Sequence, residues 1–307
     1  MNTSLITRLS QQRVIVADGA AGTMLQQMGL PPGSAPDVWN LTHPDAVKAL
    51  HRQYCEAGAD LIYTNTFGGT RIRLKREGLD DQVRQINLAG AQLARSVAEE
   101  FGDRIVFGDR IVFGDLGPTG ELLAPVGTLP YEVAMDAFAE QAAALAEGGV
   151  DAFIVETLSD LEESRAAIEG IRSVSVLPIA VTLSFDTRGR TMFGVKPEQA
   201  IKVLLDLGVT IAGANCGRTL SETLEAVLKM RAVAPEARLM AKPNAGLPHT
   251  ENSALVYEVS PEAMADYAVR FVTEAGVRIL GGCCGSTPEH IRAIAAALKP
   301  FKQWGAA

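Results

Sequence analysis

Three of the four cysteines stand among glycines: Cys216 in Ala214-Asn215-Cys216-Gly217, and Cys283 with Cys284 in Gly281-Gly282-Cys283-Cys284-Gly285. Three thiolates with an open fourth position make the catalytic rather than the structural pattern of zinc ligation, and zinc is the soft-ligand choice. Such an ion is a poor generator of hydroxide, because its ligands already neutralise its charge. It suits a fourth thiol, which would bind deprotonated and stand ready as a nucleophile near neutral pH without a side-chain base. The simpler alternative, a small buried hydrophobe, is accepted for Cys55, which lies in the helical stretch HRQYCEAGAD. It explains the other three poorly, since packing gives no reason for all of them to lie at strand ends among glycines. A vicinal Cys283–Cys284 disulfide would strain the backbone. The histidines His43, His51, His249 and His290 fall away from the strand ends, and none is given a catalytic role.

Something must bring Cys216 to Cys283 and Cys284 across the chain. Short runs rich in Val, Ile, Leu and Ala recur, separated by amphipathic stretches, which is the pattern of parallel strands joined by crossover helices. They begin near Val14, Leu61, Ile111, Ala152, Ile179, Thr210, Leu239 and Arg278, and each ends in Gly, Asn, Thr or an acid. Eight strand-then-helix repeats in 307 residues predict an α/β fold, a closed (β/α)8 TIM barrel forming a single domain over 1–307. An open doubly wound sheet is the alternative, but no GxGxxG follows the first run. In a closed barrel the sixth and eighth strands flank the seventh, so the three cysteines converge at the face where barrel enzymes keep their chemistry. One irregularity precedes the third strand: Phe101 to Val106 is repeated as Phe107 to Val112. An even insertion preserves in/out alternation, and only the second copy runs into Gly117-Pro118-Thr119-Gly120, so that copy is expected in the strand and the first in the connection below it.

Composition removes other classes. The 47% hydrophobic and 21% charged residues fit a soluble protein with a large core, and the net charge of -8, without a Lys/Arg run, argues against nucleic acid as a partner. The N-terminus lacks the apolar core of a signal peptide and no stretch is long enough for a membrane span, so no membrane association and a cytoplasmic location are expected.

The segments DGAAGTMLQ, GADLIYTNTFGGTR, FGDLGPTGEL, FIVETLSD, SFDTRGRTMFG, ANCG, KPNAGLP and GGCCGSTPEHI resemble the homocysteine S-methyltransferase family over about 14–298. Within it they are closer to the homocysteine-binding barrel of cobalamin-dependent methionine synthase than to betaine or S-methylmethionine enzymes. The resemblance implies Zn2+ on Cys216, Cys283 and Cys284, and homocysteine held at the Asp18-Gly19 turn and by Glu156. Carboxylates suit the substrate ammonium, and backbone N–H groups of a glycine-rich turn suit its carboxylate. The bland reading of Asp18 and Glu156 is loop capping. Asn65, Thr66 and Phe67 are candidate pocket lining, and Asn244, between the two cysteine strands, is a candidate oxygen near the metal.

The resemblance also implies separate folate, cobalamin and activation modules, whereas the D-x-H-x-x-G cobalamin signature is absent. The expected donor is therefore methylcobalamin on a corrinoid or folate methyl-carrier partner protein, with S-methylmethionine or betaine as small-molecule alternatives. A corrinoid donor further predicts short loops over strands one to four and an open mouth. Two other readings compete: a non-catalytic acceptor module or fragment of a larger synthase, and a metal-free lyase or isomerase barrel in which Gly281, Gly282 and Gly285 cradle a phosphate.

Overall fold

Period-two alternation within the eight apolar runs gives each strand two faces, and both are buried. The computed structural model describes residues 5, 9, 14–102, 110–251 and 254–302. Its strands are β1 (Ile15–Val16), β2 (Leu61–Tyr63), β3 (Ile111–Leu116), β4 (Ala152–Leu158), β5 (Ile179–Leu183), β6 (Ile211–Cys216), β7 (Leu239–Pro243) and β8 (Ile279–Leu280). The crossover helices are α1 (Pro44–Ala57), α2 (Val83–Glu100), α3 (Tyr131–Glu147), α4 (Leu161–Val174), α5 (Pro197–Asp206), α6 (Leu220–Val233), α7 (Pro261–Thr273) and α8 (Pro288–Leu298). A small hairpin pairs His249–Glu251 with Ala254–Val256 between β7 and α7.

All eight long-sheet strands pair in parallel, in the ring order β1, β8, β7, β6, β5, β4, β3, β2. A parallel bridge between Ala17 and Leu61 closes the ring, with Asp60 N–H donating to the Val16 carbonyl at 2.7 Å. The predicted (β/α)8 barrel is thus the fold. Strand starts differ from the sequence reading by at most one residue, because β-branched runs mark them directly.

Ile15, Leu61, Ile111, Phe113, Ala152, Ile154, Ala180, Ile211, Met240 and Ile279 fill the interior, while Val16, Ile62, Val112, Phe153, Val181, Ala212, Leu239 and Leu280 pack outward against the helices. Each fully buried Leu, Ile or Phe contributes about 1.5–3 kcal/mol of transfer free energy. Leu5 and Leu9 belong to the inner cluster. Strand β3 begins at Ile111, in the second copy of the duplicated hexad; residues 103–109, which hold most of the first copy, lie outside the described residues.

Helix starts follow local chemistry. The side chains of Asp160, Thr219 and Ser260 accept backbone N–H groups at the starts of α4, α6 and α7. At α8, Thr287 and His290 cap reciprocally, and His290 Nε2 also meets the Val259 carbonyl at 2.8 Å. His290 is spent on structure.

The loops depart from one expectation. The connection from Ala17 to α1 holds a helix at Gly22–Gln27 and a turn and helix over Pro36–Thr42, so the segment above β1 is long. Apolar residues in it, Met24, Leu25, Leu30 and Trp39, are buried, which makes it a packed part of the wall.

Candidate active site

Inward-facing positions turn polar in the last layer of the barrel. Two residues beyond Phe113 comes Asp115, beyond Ile154 comes Glu156, beyond Ala180 comes Thr182, beyond Gly213 comes Asn215, and beyond Met240 comes Lys242. All five are buried. With Asp18, Tyr63 and the cysteines, Asp115, Glu156 and Lys242 line a cavity of about 640 Å³ that extends outward past Ala35, Asp37, Arg73 and Arg76.

Cys216 breaks that parity. Its backbone has φ 56 and is followed by Gly217 at φ 79, a left-handed pair that turns the end of β6. Such a conformation costs a non-glycine residue roughly 1–2 kcal/mol. The result is a Cys216 Sγ to Cys283 Sγ distance of 3.1 Å, with all three sulfurs within 4.8 Å of one another. Tetrahedral zinc with bonds of about 2.3 Å places its sulfurs roughly 3.8 Å apart, so the donor set fits that ion. Hydrogen bonds from Cys216 and Cys283 pull the Cys284 thiol down to about 4, whereas hydrogen bonding to Cys283, with burial, pushes Cys216 well up. A dication among the three sulfurs is what would favour all of them as thiolates.

Asn215 locks this geometry. Its Oδ1 accepts the Thr157 N–H at 2.9 Å and the Thr182 hydroxyl at 2.8 Å, and its Nδ2 donates to Thr157 Oγ1 at 2.7 Å. The same Nδ2 lies 3.8 and 3.9 Å from the sulfurs of Cys216 and Cys283. Thr157 is itself at φ 64, beside a register shift in β4 that follows Val155.

The charged wall faces the sulfurs. Asp18 Oδ1 pairs with Lys242 Nζ at 2.8 Å and Oδ2 accepts the Tyr63 N–H at 2.7 Å. Burial disfavours the charge on Lys242, but Asp18 and Glu156 outweigh it and hold the amine above the usual lysine range. Burial pushes Glu156 up to about 8, with the nearby Cys283 adding to it, and pushes Asp115 well above the carboxylate range, with repulsion from Glu156 adding to it. Glu156 Oε2, Asp115 Oδ1 and Tyr63 Oη are buried without a hydrogen-bond partner among the described residues. Unsatisfied groups of this kind cost about 1–3 kcal/mol each, and here they cluster in one cavity, within reach of water or of a polar ligand.

The residues singled out from sequence divide. Cys216, Cys283, Cys284, Asp18, Gly19, Glu156, Asn65, Thr66 and Phe67 all line the cavity. Gly19 is required there, since a Cβ would stand 2.7 Å from the Tyr54 ring. The N–H of Ala20, in the same turn, donates to Ser286 Oγ at 3.1 Å. Asn65 spends its amide on the Pro36 carbonyl and Asn40, and the Thr66 hydroxyl donates to the Asp115 carbonyl, so their side chains brace the wall. Asn244 donates to the Gly217 carbonyl at 2.8 Å and leaves Oδ1 buried and unpartnered, but it does not belong to the cavity lining. Asp115, Asn215 and Lys242 were missed; the signal was strand parity, which carries each one inward. His51 lines the cavity from α1, with Nε2 unpartnered. The glycines that follow the last strand have packing reasons: a Cβ on Gly281 would meet the Asp18 carbonyl at 2.5 Å, and one on Gly285 the Tyr257 ring at 2.1 Å.

The chain as a whole is similar to known proteins. A family model described as homocysteine S-methyltransferase matches residues 15–298. Methionine synthases of Mycobacterium leprae and Mycobacterium tuberculosis are each 36% identical over 97% and 98% of the chain, which spans 25% and 26% of those proteins. The chain thus covers about a quarter of the curated relatives it matches. The metallated form of the homocysteine methyltransferase MmuM from Escherichia coli superposes with a TM-score of 0.80 at 24% identity, covering 94% of this chain and 97% of that one. At that identity the likeness speaks for the fold.

Proposed function

The chain belongs to the homocysteine S-methyltransferase family, and from that premise we propose that it transfers a methyl group to the sulfur of homocysteine, forming methionine. The observation that supports this most is one cavity in which three sulfur donors face carboxylates with unpartnered oxygens. Cys216, Cys283 and Cys284 would hold zinc, which when bound supplies the positive charge that lets a fourth thiol ligate as thiolate near neutral pH.

The protein's own groups then do the rest. Glu156, through its free Oε2, and Asp18, whose oxygens keep unused lone pairs, receive the substrate ammonium. The Gly19 turn takes the carboxylate end, and Asn65 and Thr66 brace the wall beside it. Asn244 is a candidate oxygen donor toward the metal through its free Oδ1. Fixing both ends of the amino acid leaves the sulfur little freedom except along the line of attack. The donor we propose is a methylated corrinoid on a separate protein or module, because the motifs lie nearest the cobalamin-dependent enzymes. Among the described residues no helix is long and apolar enough to cross a membrane, and free thiols at the site fit the cytoplasm.

A donor panel tests this: homocysteine with methylcobalamin, S-methylmethionine and betaine, read as methionine formed. Turnover with an onium donor and none with methylcobalamin replaces the donor and keeps the acceptor chemistry. Tight homocysteine binding without turnover on any donor supports the second reading, an acceptor module of a larger synthase, which the quarter-length coverage of the relatives favours.

A further inference from the structure

Lys242 is the most costly side chain of the cavity wall. It is 3% exposed, at the seventh strand of a barrel interior, where an unpaired ammonium would lose several kcal/mol of hydration. Nothing in the sulfur chemistry requires it. Its contacts show where that cost goes. Nζ pairs with Asp18 Oδ1 at 2.8 Å, across the intervening strand β8, and stands 3.5 Å from the centre of the Tyr63 ring. Tyr63 also holds the other oxygen of Asp18 through its backbone N–H at 2.7 Å, and its ring stacks on Phe113 at 5.9 Å. Asp18 is thereby fixed from two sides by groups that are themselves fixed.

A carboxylate has about four lone-pair sites, and these two contacts use two of them. Asp18 lines the cavity together with Glu156 and Asp115, each of which keeps an oxygen that has no partner among the described residues. Asp18 has Lys242 as its counter-ion, whereas Glu156 and Asp115 pair with no cation among the described residues, so the wall offers carboxyl groups to one further cation. We propose that Lys242 is a positioning residue that clamps the Asp18 carboxylate against the pocket wall and so sets the pocket's selectivity for thiols that carry an α-ammonium group. The inference rests on the homocysteine reading and adds to it a residue and a selectivity rule. Lys242 acts through Asp18 and does not touch the substrate.

The experiment compares two thiols on the zinc-loaded full chain by calorimetry: homocysteine, and 4-mercaptobutanoate, which lacks only the amine. In the unaltered protein homocysteine should bind at least about tenfold tighter, the worth of one charge-assisted contact. Lys242→Met should remove most of that preference through roughly tenfold weaker homocysteine binding, while 4-mercaptobutanoate affinity stays within about threefold and zinc content is unchanged. Equal loss for both thiols, or loss for neither, overturns the proposal, the first because it places Lys242 on the substrate carboxylate or in the fold alone. If Lys242→Met does not fold, Asp18→Asn is compared with the double variant Asp18→Asn/Lys242→Met, which removes both charges. The two should bind homocysteine within about threefold of each other, since the clamp has nothing left to hold; a further tenfold loss in the double variant overturns the inference. Absence of saturable homocysteine binding in the unaltered protein would instead reject the homocysteine reading, and the clamp with it.

Discussion

Acids stand at both ends of this barrel, and the two ends treat them differently. At the bottom, Asp60 accepts the Val16 N–H and both of its oxygens meet Lys302 Nζ at 2.8 and 2.9 Å. Asp151 accepts the Val112 N–H at 2.8 Å and pairs with Arg95 at 2.6 Å. At the mouth, Asp115 and Glu156 are buried as Asp60 is, yet among the described residues each keeps an oxygen with no partner. Identical chemistry is therefore used to join strands at one end and left open at the other. Burial of a charge does not by itself tell a structural group from a functional one; the completeness of its hydrogen bonding does.

The strongest way to break this comparison is to empty the mouth of sulfur. Cys283→Ala should lose zinc and abolish methyl transfer while the barrel still folds, because the apolar interior below it is untouched; metal analysis and circular dichroism check both halves. In the unaltered protein, X-ray absorption should show a fourth sulfur at about 2.3 Å when homocysteine is added. An active, metal-free Cys283→Ala protein would remove the sulfur chemistry from the mouth.

Next comes His51, whose imidazole burial pulls down from 6.5 to about 4. The unfolded chain takes up that proton below about pH 6.5 and the folded chain only below about 4, so stability held above this window is lost as pH falls through it. The loss is about 3 kcal/mol at most. Urea unfolding of the metal-free protein between about pH 7 and pH 4 should show a shallower decline in His51→Gln. Parallel declines would mean that His51 is solvated in the cavity.

Exchanging function for structure gives the next effect. Glu156→Gln should weaken homocysteine binding roughly ten- to a hundredfold with zinc retained, measured by calorimetry, and should not lower stability, since it replaces a buried carboxyl whose hydrogen bonding is incomplete. Unchanged affinity would return Glu156 to a bracing role. The smallest effect is the mirror case: Asp151→Asn should cost about 1 kcal/mol in thermal or urea unfolding and leave homocysteine affinity alone, as a partly exposed ion pair at the opposite end should. A change in affinity there would couple the two ends.

Much of this was legible beforehand, for reasons particular residues make plain. The strand starts were, because β-branched runs bounded by turn residues carry their own periodicity. The cysteines were, because Cys-Cys between glycines is rare enough to point to a metal. The long wall segment over β1 was misjudged, since its buried Met24, Leu25 and Trp39 read locally as loop residues. Asp115 and Lys242 were passed over because each looks like an ordinary strand-end polar residue until its parity is counted from Phe113 and Met240.

The sequence by itself determined the eight-fold alternation, the inward and outward faces, and the residue types that reach the mouth, because each depends on neighbours two to four positions away. Only the tertiary structure decided which of them meet. That Lys242 takes Asp18, that Asn215 ties Thr157 and Thr182 to the sulfurs, and that Glu156 stays free all depend on how the strands are ordered in the ring, the first on the pairing of β1 with β8 and of β8 with β7. That order joins side chains more than two hundred residues apart, such as Asp18 and Lys242, and no local periodicity encodes which partner a buried charge will find.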